Sequence, residues 1–374
     1  MEPIDVAVVG CGYWGPNLLR TLMEMPEARV IAVCDRDPAR LEYVRRRHPQ
    51  IGLLTRELSD VLALGPTAAV VSTPPQTHYG IVRLFLEHGV DVFVEKPLAT
   101  SVVDARELVE LSEYHERVLM VGHIGAYNPA VRMLKEMIDS GELGEIAYID
   151  AVRGGLGLFN PTLNVIWDLA PHDIAILMYL LDEQPESAST RGIACVERSI
   201  EDVAYVTMSF PSGVLAHARL SWLDPCKSRR ITVVGRKKMV VYDDLESHEK
   251  LKIYDKSVNA VRRTDTFGEH QFAYHYGNVM SPYIHHEEPL RVECAHFLEC
   301  VANREPPLTG GPNGLAVVEV IDAAQRSLRA RGAVVEVVKT HEAVEDKVID
   351  LTGIERARDG TAIAEPVTSE LDAS

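Results

Sequence analysis

The 374-residue chain has no uninterrupted apolar run near the roughly 18 residues that a membrane span needs. It also lacks a basic, apolar leader. The opening MEPIDVAVVG begins acidic and runs straight into a strand-like segment, which predicts a cytoplasmic protein rather than an exported one. Positive charge is scarce: 38 Lys and Arg stand against 55 Asp and Glu, a formal net charge of −17. Such a surface repels phosphate backbones and anionic lipid, which weighs against nucleic-acid and membrane partners. A local basic pocket for one small anion stays compatible with that balance. No two of the six cysteines form a CxxC pair or take zinc-finger spacing, so they read as reduced packing thiols. No repeat at solenoid or propeller period is present.

What remains is ordinary globular material. Hydrophobic residues make up 46% and charged residues 25%, enough for a sizeable core. The length suggests two domains as a first guess.

The first 120 or so residues alternate apolar strands with helical spacing. Strands are expected at Val6–Val9, Val30–Cys34, Ala68–Ser72, Val92–Val94 and Val118–Val121. Helices are expected at Pro16–Met25, Pro38–Arg47, Thr77–His88 and Ser101–Glu113. Continuous apolar strands between helices predict a doubly wound parallel sheet, an α/β domain spanning 1–123. The pattern then changes. Helices at Pro129–Ser140 and His172–Leu181 precede alternating strands at Val203–Phe210, Val214–Leu220, Arg230–Val234 and Lys238–Tyr242. This predicts a second, α+β domain over 124–340 with a large, mostly antiparallel open sheet. Residues 255–285 read as irregular, helices follow at Leu290–Asn303 and Gly314–Ala330, and 341–374 reads as a flexible acidic tail.

The first strand ends in Gly10-Cys11-Gly12-Tyr13-Trp14-Gly15, which is G-x-G-x-x-G. It follows a strand and opens a helix, and Asp35 closes the second strand at the distance a dinucleotide fingerprint requires. Gly10 permits the tight turn, Gly12 lets backbone approach a diphosphate, and Gly15 lets the helix pack closely. Asp35 can accept from ribose hydroxyls and repels a 2′-phosphate, so NAD is favoured over NADP. Arg36 beside it could instead accept that phosphate.

The fourth strand ends in Glu95-Lys96-Pro97. Charged groups at the carboxyl end of a parallel strand lie where such folds bind ligands. Asp168 and His172, four apart, share a face if their segment is helical. Histidine suits proton transfer near neutral pH. Lysine could serve as acid or base, or stay charged and polarise an oxygen. His285-His286-Glu287-Glu288 lacks the ligand spacing of a metal site, so no metal is expected. His123 stands just past a strand, either near a cofactor or as a simple strand cap.

These motifs occur together with Ser72-Thr73-Pro74-Pro75, His78, Val121-Gly122-His123 and Tyr127-Asn128-Pro129. In that order and spacing the chain resembles the glucose–fructose oxidoreductase and inositol dehydrogenase (Gfo/Idh/MocA) family over about residues 4–338. The resemblance implies oxidation or reduction of a sugar or cyclitol carbon with a pyridine nucleotide. It implies that Lys96 and His172 are catalytic with Asp168 beside them, and that Tyr127 and Asn128 adjoin the substrate. It implies that Ser72, Thr73, Pro74, His78, Glu95 and His123 line the cofactor along with the glycine loop. It points to homodimers or homotetramers, and to a cis Lys96–Pro97 peptide. Runs such as Gly12–Arg20, Trp167–Asp173 and Ser221–Pro225 resemble members that oxidise C3 of nucleotide-linked N-acetylhexosamines. The basic residues Lys227, Arg229, Arg230, Arg236, Lys237 and Lys238 either meet a substrate diphosphate or are solvated strand flanks. The alternatives are a free sugar or inositol as substrate, and a non-catalytic dinucleotide-binding regulator.

Overall fold

A computed structural model of the protein describes residues 2–157, 159–261 and 271–339. The expected acidic tail at 341–374 lies outside the described residues.

The first half builds strand after strand into one layer. β1 (Ile4–Val9), α1 (Gly15–Met23), β2 (Ala28–Cys34), α2 (Pro38–Arg47), β3 (Leu53–Thr55), α3 (Leu58–Ala63) and β4 (Ala68–Val71) come first. Then follow α4 (His78–Glu87), β5 (Asp91–Glu95), α5 (Val102–Tyr114) and β6 (Leu119–Gly122). The six strands run parallel in the order β3-β2-β1-β4-β5-β6, with the crossover back past β1 that opens a ligand crevice. β4 and β6 are buried at every residue, because helices cover both faces. Local signals start the helices. The Asp37 side chain accepts from the Ala39 N–H with Pro38 in the first turn of α2, and Ser101 accepts from the Asp104 N–H at α5.

The second half contains α6 (Pro129–Asp139), β7 (Ile146–Leu156), α7 (Val165–Leu181), β8 (Ser187–Ile193), β9 (Val203–Ser209) and β10 (Leu215–Ser221). It continues with β11 (Leu223–Gly235), β12 (Met239–Asp243), β13 (Leu251–Val261), β14 (Gln271–Met280), α8 (Pro289–Asn303), α9 (Gly311–Arg329) and β15 (Val335–Glu336). The second sheet has nine strands in the order β14-β13-β12-β11-β7-β10-β9-β8-β15. β7 and β10 pair parallel, and the other neighbours are antiparallel. One face carries Ile149, Ala218 and Val233 into a core with Leu134, Leu177 and Val320 from α6, α7 and α9.

Two elements differ from the sequence reading. The helix expected from His172 begins at Val165, capped by Asn164, with Pro171 accommodated inside it. The 255–285 stretch expected to be irregular contains most of β13 and all of β14. Residues 272–280 are all exposed, so β14 never shows the alternating burial that marks a strand in sequence.

α8 and α9 return to the first sheet. Phe297 of α8 meets Phe93 of β5 edge-on at 5.7 Å, and the Arg304 guanidinium reaches buried Asp91 at 2.8 Å. The Thr309 hydroxyl donates to the Val121 carbonyl at 2.8 Å. These contacts hold α8 and the start of α9 against β5 and β6.

Candidate active site

The turn after β1 is shaped for close approach. Gly10 takes φ +91°, and a Cβ there would stand 2.8 Å from the Ser72 carbonyl oxygen. A Cβ on Gly15 would strike the Gly10 carbonyl. The Ser72 hydroxyl donates to that same Gly10 oxygen at 2.7 Å, so the loop after β4 clamps the turn. Trp14 precedes α1 without a side-chain cap, Pro16 brings no N–H to the first turn and the Asn17 N–H donates to the Trp14 carbonyl at 2.9 Å, so what this end of α1 offers an anion is the positive end of the helix. Arg40 leans over Gly12, with Nη1 2.8 Å from where a Cβ would be. Tyr13 is exposed. A narrow turn, the positive end of α1 and an overhanging cation fit a dinucleotide diphosphate.

Asp35 is anchored beside this turn. One oxygen accepts the Cys11 N–H at 2.6 Å, the other accepts the Asp37 N–H at 2.8 Å, and Arg40 stands 3.8 Å away. Each carboxylate oxygen keeps a lone pair for a ribose hydroxyl. Arg36 is exposed, and its carbonyl accepts from Arg56 at 3.1 Å.

Beyond Ser72, Thr73 accepts from the Thr77 hydroxyl at 2.8 Å and Pro74 leads into a short turn. His78 is fully buried beneath them. Its ring nitrogens lie 2.8 Å from the Pro97 oxygen and 2.9 Å from the Thr73 oxygen, so it ties the two loops together. The Lys96–Pro97 peptide is cis, as the sequence predicts.

Lys96 turns toward the second domain. Its Nζ donates to the main-chain oxygen of Asp168 at 2.8 Å and lies 3.6 Å from Asp168 Oδ1. The other Asp168 oxygen accepts from Trp222 Nε1 at 3.0 Å, and Phe159 meets the Trp222 ring edge-on at 5.5 Å. His172 follows one helical turn later on α7. No hydrogen-bond partner holds its ring among the described residues. Burial, then the charges of Lys96 and Arg153 and the nearby His123 and Arg229, keep its pKa well below the ordinary 6.5, so the ring is neutral. His123, just past β6, is fully buried with neither ring nitrogen partnered. Burial, reinforced by Lys96, pushes its pKa down to about 3.

Tyr127 and Asn128 lie deeper than their neighbours in sequence suggest. Tyr127 is fully buried, its hydroxyl 3.2 Å from Thr309 Oγ1. Asn128 caps α6 by accepting the Ala130 N–H, and its amide donates to the Tyr242 hydroxyl at 3.0 Å.

The structure adds residues that sequence reasoning missed. Arg153 of β7 makes a two-pronged ion pair with buried Asp173 of α7, with contacts of 2.7 to 3.1 Å. Trp222 fixes Asp168, and Arg229 pairs with Asp244 at 3.3 Å. The expected basic stretch splits in two. Arg229 belongs to the surroundings of His172, while Lys238 pairs with Glu142 toward the far end of β11. Among the described residues, no group of three or more His, Cys, Asp or Glu is placed to hold a metal, and no helix is long and apolar enough to cross a membrane.

Residues 4–123 match the oxidoreductase family with an NAD-binding Rossmann fold, and residues 131–241 match the GFO/IDH/MocA C-terminal domain. The chain is 28% identical over 248 residues to the 2,7-anhydro-N-acetylneuraminate hydratase of Mediterraneibacter gnavus, a match covering 59% of this chain and 62% of that protein. It is 26% identical over 341 residues to the NAD(+)-dependent scyllo-inositol 2-dehydrogenase of Bacillus subtilis, covering 87% and 94% of the two chains. Its fold matches that of a UDP-N-acetylglucosamine 3-dehydrogenase from Acidithiobacillus ferrooxidans, with a TM-score of 0.72, 22% identity, and coverage of 88% and 99%. The two domain matches, with the glycine turn inside the first, lead to one statement: the chain belongs to the Gfo/Idh/MocA family of oxidoreductases, with an NAD-binding Rossmann domain at its N-terminal end.

Proposed function

We propose that the protein is an NAD-dependent dehydrogenase or reductase acting on a carbinol or ketone carbon of a sugar, with a nucleotide-linked N-acetylhexosamine, oxidised at C3, as the substrate. The observation that carries the reading is the meeting of Lys96 from β5 with Asp168 and His172 from α7, beside a cradle fit for a dinucleotide. Bound NAD supplies the hydride acceptor. His172, held neutral, accepts the hydroxyl proton as the carbon is oxidised. The Lys96 ammonium stabilises negative charge on the oxygen, and Asp168 holds that ammonium in place. Trp222 keeps the Asp168 carboxylate from swinging away.

The nucleotide-linked substrate is supported by Lys227, Arg229 and Arg230 on the strand that borders the site, in a chain whose net charge is −17. A free inositol or sugar is the second reading, favoured by the coverage of the scyllo-inositol 2-dehydrogenase match. A non-catalytic regulator would leave the paired Lys96 and the unpartnered, neutral His172 without a purpose. We place the protein in the cytoplasm as a homodimer or homotetramer. The test is a screen of nucleotide sugars, free sugars and inositols for change in nicotinamide absorbance. Turnover of free sugars or inositols alone would select the second reading, and no turnover with bound NAD would select the regulator.

A further inference from the structure

Ser228, Arg229, Arg230 and Ile231 of β11 lie opposite Gly154, Arg153, Val152 and Ala151 of β7, with no break in register. Ala151 and Ile231 point into the core beneath the helices. Alternation therefore puts Arg153 and Arg229, directly opposite each other, on that same inner face. Arg230 falls on the outer face. Two guanidinium groups at opposed positions of neighbouring strands repel, and each is held by a carboxylate from another segment. Arg153 spends Nε and Nη2 on Asp173. Asp173 follows His172 directly on α7, so this ion pair brings the arginines up beside His172.

Arg229 is held more loosely. Its guanidinium makes one hydrogen bond among the described residues, Nη1 to Asp244 Oδ2 at 3.3 Å, and its side chain is 43% exposed. Asp244 is well supplied without it. The other carboxylate oxygen accepts from the Tyr242 hydroxyl at 3.0 Å and the Asn128 amide at 3.3 Å, and Lys250 Nζ lies 3.6 Å from it. Arg229 can thus turn toward a ligand without leaving Asp244 unpaired. Three cations, Arg153, Arg229 and Lys250, face two carboxylates, Asp173 and Asp244, which leaves one positive charge in excess in a chain of net charge −17. His172, being neutral, adds none.

We propose that Arg229, with Arg153 beside it, forms an anion seat on the inner face of the second sheet that takes one carboxylate or phosphate group of the sugar whose carbinol meets His172. The inference rests on the dehydrogenase reading above and narrows its substrate to an anionic sugar. A guanidinium presents parallel N–H donors that match two oxygens of either group. The seat binds and orients only, because both arginines stay protonated throughout. A sugar anchored by its anionic group has few ways left to present a carbinol to His172, so the seat selects the carbon as well as the sugar.

The experiment is calorimetry on the full chain saturated with NADH, at low ionic strength, with D-glucose, D-glucuronate, D-glucose 1-phosphate and UDP-N-acetylglucosamine as probes. The expected result is that at least one anionic probe binds about tenfold or more tightly than glucose, and that the advantage shrinks as salt is added. Glucuronate in the lead assigns a carboxylate; either phosphorylated probe in the lead assigns a phosphate. Arg229→Gln should bring the preferred probe to within about twofold of glucose. Arg229→Lys, which keeps the charge without the fork, should recover part of the gap. Arg236, exposed just past the far end of β11, is the control for charge alone, and Arg236→Gln should leave the gap in place. Anionic probes no tighter than glucose, or equal losses in Arg229→Gln and Arg236→Gln, overturn the seat while the NAD reading stands. Failure of NADH to bind overturns the dehydrogenase reading and the seat with it.

Discussion

Lys96 spends its ammonium on Asp168: Nζ donates to the main-chain oxygen at 2.8 Å and lies 3.6 Å from the carboxylate. The main-chain bond survives any change of the Asp168 side chain, whereas loss of the amine removes the cation itself. Lys96→Met should lower kcat by about a hundredfold or more, within the range for acid/base and charge-stabilising groups, while NAD still binds. Asp168→Asn, which can still accept from Trp222, should cost about tenfold or less. Steady-state kinetics on the substrate found by the screen decides it. Equal losses in the two variants would mean the carboxylate acts directly.

His172→Asn should also lower kcat by about a hundredfold or more with NAD binding retained. The pH dependence is distinctive. The base must be neutral to accept a proton, and burial with the nearby positive charges holds its pKa well below 6.5. The neutral fraction is already complete at pH 6.5, so kcat for oxidation should stay level as pH falls through that value. An acidic limb centred at the ordinary histidine value would show a ring that is not buried among those charges.

Asp35 sets the cofactor preference through charge. Its two oxygens are fixed by the Cys11 and Asp37 amides, so the carboxylate cannot withdraw from an incoming 2′-phosphate. NAD should bind more tightly than NADP. Asp35→Ser removes the repulsion and leaves Arg36 and Arg40 exposed beside the ribose position, so the preference should fall by about tenfold or more. Titration of both nucleotides into each protein measures this. Tighter NADP binding by the unaltered chain would mean the arginines already dominate.

The part of the site written in contiguous residues was legible. Gly10–Gly15, Asp35 and Glu95-Lys96-Pro97 sit at strand ends, and the periodicity of β1, β2, β4, β5 and β6 announces those ends. The partners from the second sheet were not legible. Arg153 lies on β7, whose burial alternates imperfectly and whose Gly154 and Gly155 suppress a strand signal. Its link to Asp173 depends on where α7 begins, and Pro171 conceals that start. Glu293, between Val292 and Cys294, carries no local sign of its burial, because nothing in the sequence reveals that α8 crosses back to the first sheet. Residues brought together by nonlocal packing leave no spacing to count.

The Arg153–Asp173 pair gives a stability test. The Arg153 side chain is 15% exposed and that of Asp173 3%, so neither charge has water to fall back on. Asp173→Asn should destabilise by about 3–5 kcal/mol, because it leaves Arg153 buried without its counter-charge. For 374 residues, at roughly 2.1 cal/mol/K of unfolding entropy per residue, that corresponds to about 4–6 °C in Tm. A shift under about 2 °C would mean that Arg153 finds another partner or reaches solvent.

The last prediction concerns the outer face of the nine-stranded sheet. Strand register sets Tyr254, Met239, Val234, Tyr148 and Leu215 side by side across β13, β12, β11, β7 and β10. Tyr148 is 48% exposed and Leu215 50%, while the opposite face is filled by α6, α7 and α9. A continuous apolar row across a sheet is costly to leave in water and marks an interaction surface. A sheet face also suits self-association, since the same row on a second copy can pack against it about a twofold axis. The protein should therefore run as a dimer or tetramer in light scattering at micromolar concentration. Tyr148→Glu with Leu215→Lys places charges at the β7–β10 end of the row without touching the buried face, and should lower the mass toward the monomer while leaving the fold's circular dichroism unchanged. A monomer before any substitution would mean that the row is tolerated exposed.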